Sequence, residues 1–505
     1  MPLIPSILNW LNIKRVHQIE LIKKYPVDIQ GETFYKLINK ARETEWGRKY
    51  KYSEISSISE FQDRLPIQDY DDVKEYIYRL RKGEQNLLWP GEIKWFAKSS
   101  GTTSDKSKFI PVSKDSLEEC HFRGAKDILA IYTNNNPTTK IFKGKGLTLG
   151  GSHKIDNFNN QAYFGDLSAI LIENLPFWVD FIRTPSAEVA LLEKWEEKLE
   201  RIANETIKEN VTNIAGVPSW NLVMINHLLN ITGKKNLLEI WPNMELFTHG
   251  GVSFAPYRKQ FQKLIPSARM NYLETYNASE GFFAIQDDPN TDDMLLMLDL
   301  GVFYEFIPMD RFHNPNPPTL TIGEVQKGVN YAIVISTNTG LWRYLIGDTV
   351  IFTSLYPHKI KITGRTKHFI NAFGEEIIIE NAEKALKTAC DKTKAEISDY
   401  TAGPIFFDDN QKGSHEWLIE FSNPPTDFEY FVTLLDNALM ASNSDYEAKR
   451  YKNITLAKPT VRMMKNGTFY EWLNKKGKLG GQNKIPRLSN NRKYVEEVLK
   501  INDGL

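Results

Sequence analysis

Residues 99–104 read Ser-Ser-Gly-Thr-Thr-Ser and are followed closely by Lys106 and Lys108. Hydroxyls, a glycine that lets backbone N–H groups come close, and nearby ammonium groups are the parts of an anion-gripping loop. The run lies between two short apolar stretches, FAK and FIPVS, which predicts a turn joining paired strands. It is not a Walker A loop, because no GxxxxGK[ST] leads into a helix. The same residue types also make ordinary turns, so the run takes its meaning from the motifs further along the chain.

There are three such constellations. In Tyr276-Asn277-Ala278-Ser279-Glu280-Gly281, a tyrosine ring can cover a nucleobase and the Ser279 hydroxyl can bond a phosphate oxygen. Glu280 can hold Mg²⁺, which prefers carboxylate and phosphate oxygens. A capped turn at a strand end uses the same residue types. In Trp342–Thr349, Asp348 follows Gly347 and can accept both hydroxyls of a ribose diol, or simply close a Gly-Asp turn. In Gly364-Arg365-Thr366-Lys367, Arg365 offers a planar donor fork to ribose or phosphate oxygens. Gly374, in the nearby Gly-Glu-Glu-Ile, permits a tight turn toward the site. The nine histidines show no HExxH or paired metal spacing, which argues against zinc. His249, in a glycine-rich stretch, reads either as a packed structural histidine or as a base or pocket wall. Val217, Pro218 and Ser219 read either as an acyl-pocket wall or as a buried strand end, and Arg487 as a carboxylate binder or a surface cation.

These groups need strands and turns to hold them. Residues 1–90 read as mainly helical, with a helix over Asp71–Lys82 whose acidic start suits the helix dipole. A helix is expected over 114–135, and one continuous amphipathic helix with a solvated charged face over 187–208. The segments 329–337, 343–352 and 359–364 read as strands of an antiparallel sheet or barrel. A boundary near 365 divides a large domain, 1–365, from a small α+β domain, 366–505, expected to end in a basic tail. Lysine plus arginine and aspartate plus glutamate each number 63, so the formal net charge is zero; nucleic acid and anionic membrane are poor candidates for the main partner. Cys120 and Cys390 are the only cysteines, which fits a reducing cytoplasm and excludes a disulfide framework. No apolar run approaches the ~20 residues that span a bilayer, and the first residues read as an amphipathic helix rather than a signal peptide.

In order and separation, the four constellations resemble the adenylate-forming superfamily of acyl-CoA synthetases, peptide-synthetase adenylation domains and luciferase. SSGTTSDKSKFIPV, YNASEGFFAIQ, GVFYEFIP, TGLWRYLIGD and GQNKIPR are closer to the Gretchen Hagen 3 family of acyl acid–amido synthetases. The resemblance implies a large N-terminal domain of sheets flanked by helices plus a β-barrel, and a small mobile α+β C-terminal domain. It implies ATP and Mg²⁺ as cofactors, a small carboxylic acid and an amino acid as substrates, and release of pyrophosphate and then AMP. By resemblance, Ser99, Ser100, Gly101, Thr102, Thr103 and Lys108 grip phosphate and Tyr276 lies against adenine. Ser279 contacts the α-phosphate, Glu280 holds Mg²⁺, and Asp348 holds the ribose with Arg365 beside it. Lys484 of QNKIPR reaches the α-phosphate from the small domain. A thioester-forming acyl-CoA ligase and a nucleotide-binding protein without turnover are the alternatives. The chain departs from the superfamily where Ser104–Lys108 replaces the usual GxPKG ending, leaving Lys106 and Lys108 as rival phosphate contacts. It departs again at Leu345-Ile346, where many members have Arg-Thr, and at Lys367, where many have aspartate.

Overall fold

The computed structural model describes residues 3–504 apart from 101–106, 152, 156–161, 252–253, 255–256, 313, 367–368, 376, 408–411, 452–455 and 477–484. The chain opens with helices Leu3–Lys24 and Pro26–Ala41, and Tyr70–Arg81 comes before the first strand. The Asp69 carboxylate accepts from the Asp71 N–H at 2.8 Å and from the Asp72 N–H, and the Asp72 carboxylate accepts from the Asp69 N–H. This reciprocal cap sets the helix start one residue before the expected position.

Strands β1 (Trp95–Ser100) and β2 (Ser107–Val112) pair antiparallel, with Ser100 opposite Ser107. The hydroxyl-rich loop therefore joins two strands that end level. Next come β3 (Lys145–Thr148), β4 (His153–Ile155), β5 (Tyr163–Gly165), β6 (Arg183–Thr184), β7 (Val211–Gly216), β8 (Leu246–Gly250), β9 (Asn271–Ala278) and β10 (Gly281–Ile285). The large-domain strands close with β11 (Met294–Leu296), β12 (Val302–Pro308), β13 (Asn330–Thr337), β14 (Tyr344–Leu355) and β15 (His358–Arg365). Eleven strands form one sheet in the order β12-β13-β14-β15-β11-β10-β9-β8-β7-β3-β6. From β9 to β6 every pairing is parallel, and from β9 to β12 every pairing is antiparallel. Strand β9 belongs to both halves, and its end is where ligands gather in open sheets with parallel strands.

The segments expected as strands of an antiparallel sheet or barrel form the antiparallel arm of this sheet, and among the described residues no pairing closes them into a barrel. Two expectations need correction. The helix expected over 187–208 is two helices, Ala187–Ala190 and Trp195–Thr206. Val189 from the first and Leu199, Ile202 and Ala203 from the second enter one core, and the chain turns between them; apolar spacing does not register such a change of direction. The face expected to be solvated also contains Lys198, which is 3 % exposed.

Beyond Arg365, β16 (Phe369–Ile370) pairs with β17 (Ile377–Ile378), and a three-stranded sheet is formed by β18 (Glu396–Ile405), β19 (Ser414–Asn423) and β20 (Thr460–Met464). The expected basic tail contains β20 and helices Thr468–Lys475 and Lys493–Gly504, with Phe469, Trp472, Val495 and Val498 buried. On β20 the exposed Arg462 pairs with Glu416, and a charge count registers such exposed cations but not the buried residues beside them. This part docks on the parallel half. The Tyr257 hydroxyl donates to the Ala372 carbonyl at 2.7 Å, and the Lys449 ammonium lies 4.5 Å from the centre of the Trp220 ring.

Candidate active site

Asp348 and Arg365 stand directly opposite each other on β14 and β15. Gly347 has φ +95°, a conformation that L side chains rarely adopt, immediately before Asp348. The Arg365 Nε donates to Asp348 Oδ1 at 2.6 Å, and the Tyr276 hydroxyl donates to Oδ2 at 2.7 Å. Asp348 is thus buried with a partner on each oxygen, yet each oxygen keeps a lone pair for a further donor such as a ribose hydroxyl. Burial works against the Arg365 charge, but Asp348 outweighs it and the guanidinium stays firmly protonated. Burial, reinforced by Asp348, pushes the Tyr276 hydroxyl well above its ordinary range. The Tyr276 ring packs against Phe283 at 4.8 Å and is 5 % exposed.

Glu280 sits in the tight turn between β9 and β10, one residue after the half-buried Ser279. Burial raises its pKa, opposed by the positive charges of Lys108 and Arg365. Among the described residues no side chain donates a hydrogen bond to this buried carboxylate, an arrangement that suits a cation arriving with its own ligands. A metal here would have few protein ligands, with the Glu280 carboxylate as the candidate. That matches Mg²⁺, which keeps waters and phosphate oxygens alongside one or two carboxylates.

Lys108 leaves β2 with its ammonium 5.9 Å from the centre of the Tyr70 ring, and the Tyr70 hydroxyl accepts from the Phe109 N–H at 2.9 Å. Sequence reasoning read Tyr70 only as part of a helix start. Ser99 and Ser100 end β1, but their side chains, all of Gly101, Thr102, Thr103 and Lys106, and Lys484 lie outside the described residues. The structure thus brings Tyr276, Glu280, Asp348 and Arg365 together on the eleven-stranded sheet, with Lys108 of the separate β1–β2 sheet close enough to act on Glu280.

Two more motif residues brace that end. Arg343, at φ +44°, is buried, and its Nε and Nη2 each donate to the Glu305 carboxylate at 3.0 Å. Its Nη1 donates to the Gln62 carbonyl at 2.6 Å and to the Leu65 carbonyl. GVFYEFIP and TGLWRYLIGD therefore meet as a buried ion pair. His249 is 2 % exposed, its ring stacks 4.0 Å from Phe254, and neither ring nitrogen has a partner among the described residues. Burial, helped by Arg258, lowers its pKa to about 3, which leaves the imidazole neutral but only weakly basic and suits packing better than proton abstraction. Val217 caps the helix Pro218–Thr232, with Pro218 at its first position. Arg487 is engaged within its own domain, paired with Asp399 and donating to the Tyr400 carbonyl at 2.9 Å.

Among solved structures, a GH3.15 acyl acid amido synthetase superposes with a TM-score of 0.61 at 17 % identity, over 97 % of this chain and 95 % of that one. A 2-hydroxyisobutyryl-CoA ligase superposes with a TM-score of 0.58 at 12 % identity, over 94 % and 91 %. At these identities the likeness establishes the fold alone, a mixed α/β architecture. An indole-3-acetic acid-amido synthetase of Arabidopsis thaliana is 20 % identical over 94 % of this chain and 91 % of its own length. A jasmonoyl–L-amino acid synthetase of Nicotiana attenuata is 24 % identical over 94 % and 92 %. Models of the GH3 family N-terminal, central and C-terminal domains match residues 15–270, 295–365 and 380–493, and the chain belongs to the GH3 family.

Proposed function

We propose that this protein is an ATP-dependent ligase that joins a small carboxylic acid to an amino acid. The acid's carboxylate attacks the α-phosphate of ATP and gives an acyl-adenylate and pyrophosphate. The amine then attacks the acyl carbon, AMP leaves, and one proton is released. The observation that carries this reading is the convergence of Tyr276, Asp348, Arg365 and Glu280, with Lys108 of β2 acting on the Glu280 carboxylate. A carboxylate is already ionised at neutral pH and needs no base. What the reaction needs is alignment and charge neutralisation, and no Ser-His-Asp arrangement is required.

In this reading Asp348 holds the ribose diol, oriented by Arg365 and Tyr276. Ser99, Ser100, Gly101, Thr102, Thr103 and Lys108 cradle the phosphates, and Ser279 faces the α-phosphate. Glu280 holds Mg²⁺, which when bound neutralises phosphate charge. Lys484 reaches the site from the small domain, 366–505, which turns about a hinge near 365 between the two half-reactions. Of the relatives, one is named for indole-3-acetic acid and one for jasmonic acid, which supports a small organic acid as the first substrate.

The test is acid-dependent exchange of pyrophosphate into ATP over a panel of acids, followed by product analysis with amino acids or coenzyme A. Exchange with some acids and an amide product are expected. A thioester with no amide from any amino acid overturns the acceptor assignment, and no exchange across a broad panel overturns adenylation.

A further inference from the structure

Lys198 lies on helix Trp195–Thr206, remote in sequence from every motif of the site, and is almost wholly buried. Its ammonium donates to the Gly150 carbonyl at 2.8 Å and to the Gly151 carbonyl at 3.2 Å. Among the described residues no carboxylate pairs with it at ion-pair distance; Asp166 supplies only a longer-range attraction. Burial brings its pKa down to about 8. A buried ammonium is costlier to keep than an apolar side chain of like length, so its contribution is positional.

What it positions is the turn that ends β3. The Gly151 N–H donates to the Ser168 hydroxyl at 2.9 Å, and a Cβ on Gly151 would fall 1.8 Å from the Asp166 carboxylate. The turn is thus gripped by Lys198 from one side and by the 166–168 segment from the other, with no room for a side chain. Along the carboxyl edge of the parallel half, β3 is followed by β7, ending at Gly216, by β8, ending at Gly250, and by β9, which leads into Tyr276 and Glu280. Three strand steps at ~4.8 Å separate the Gly150–Gly151 turn from β9 by roughly 14 Å, along the carboxyl edge where ligands of open parallel sheets lie.

We propose that Lys198 is a positioning residue for the acid substrate: it fixes the Gly150–Gly151 turn as the far wall of the acyl pocket. The proposal rests on the adenylation reading above. Pyrophosphate exchange by Lys198→Met is expected to show a KM for the acid raised about tenfold or more, with the KM for ATP within twofold of the wild type. Lys198→Arg, which keeps the donors, restores most of the acid KM. Equal changes in both KM values, or a drop in kcat alone that the arginine does not rescue, would overturn the proposal. Amide hydrogen exchange on the full chain provides a readout without turnover. In Lys198→Met the backbone around 149–152 is expected to exchange at least tenfold faster while 276–280 is unchanged. Unchanged protection at the turn in a folded variant sinks the proposal even if no acid supports exchange in the wild type, an outcome that bears instead on the proposed reaction.

Discussion

Asp348 is buried with a partner on each oxygen, whereas His249, on the strand next to Tyr276's, is buried with none among the described residues. Both sit toward the edge of one sheet. At the antiparallel end polar groups are matched in pairs, Asp348 with Arg365 and Arg343 with Glu305. Along the parallel edge lie glycine turns, an imidazole with no partner among the described residues and an ammonium held by two backbone carbonyls. The matched end has the fixed charges that a nucleotide's hydroxyls and phosphates need, in a low dielectric that strengthens each contact. In the reading proposed above, the parallel edge is the side left for the acid.

That contrast can be broken most forcefully at Glu280. Glu280→Gln should lower acid-dependent pyrophosphate exchange by about 100-fold or more, while the melting temperature holds or rises because a buried ionised group is gone. Retained exchange would remove Glu280 from the matched end. Asp348→Ala strands the Arg365 guanidinium and the Tyr276 hydroxyl; ATP binding measured by calorimetry should weaken by about 1–3 kcal/mol. ATP affinity equal to the wild type would mean the pair serves only the fold. Tyr276→Phe deletes one of the two donors to Asp348, and a loss of ATP affinity near 1 kcal/mol is expected. An undiminished affinity would show Arg365 sufficient alone.

The smallest effect tests the parallel edge. His249 has a folded pKa of about 3 against an ordinary value of 6.5, so the unfolded chain binds the extra proton between those pH values. Stability from this group is complete above pH 6.5 and is lost as pH falls toward 3, with a slope of at most about 1.4 kcal/mol per pH unit. In His249→Phe, urea unfolding midpoints should fall less steeply over that window. An unchanged slope would mean the imidazole finds a partner in solution. His121, lowered to about 4 by burial, titrates in the same window and remains as background in both proteins.

The paired strands around 99–108, the capped helix before them and the strands carrying Asp348 and Arg365 were legible because turn chemistry and apolar spacing are local signals. The break at 191–194 was not, since each piece keeps its own helical period while the direction changes. Strand β20, inside the expected basic tail, was missed for a related reason. Its buried Val461 and Met464 flank the exposed Arg462 and Met463, a pattern too short and irregular to stand out against the net charge. Of the site, the motif residues could be named, but not that Tyr276's hydroxyl would be committed to Asp348 or that Glu280 would lie buried without a side-chain donor among the described residues.

The sequence alone determined which hydroxyl, carboxylate and cationic groups this protein offers to the proposed nucleotide and cation, and the order in which they come, because those rest on residue type and short spacing. Only the tertiary structure decided that β9 would join a parallel half to an antiparallel arm, that Arg343 would meet Glu305, and that Lys198 would be drawn inside to hold a glycine turn. Those outcomes depend on strand pairing and burial between residues far apart in the chain, and on the resulting desolvation, which no short window of sequence contains.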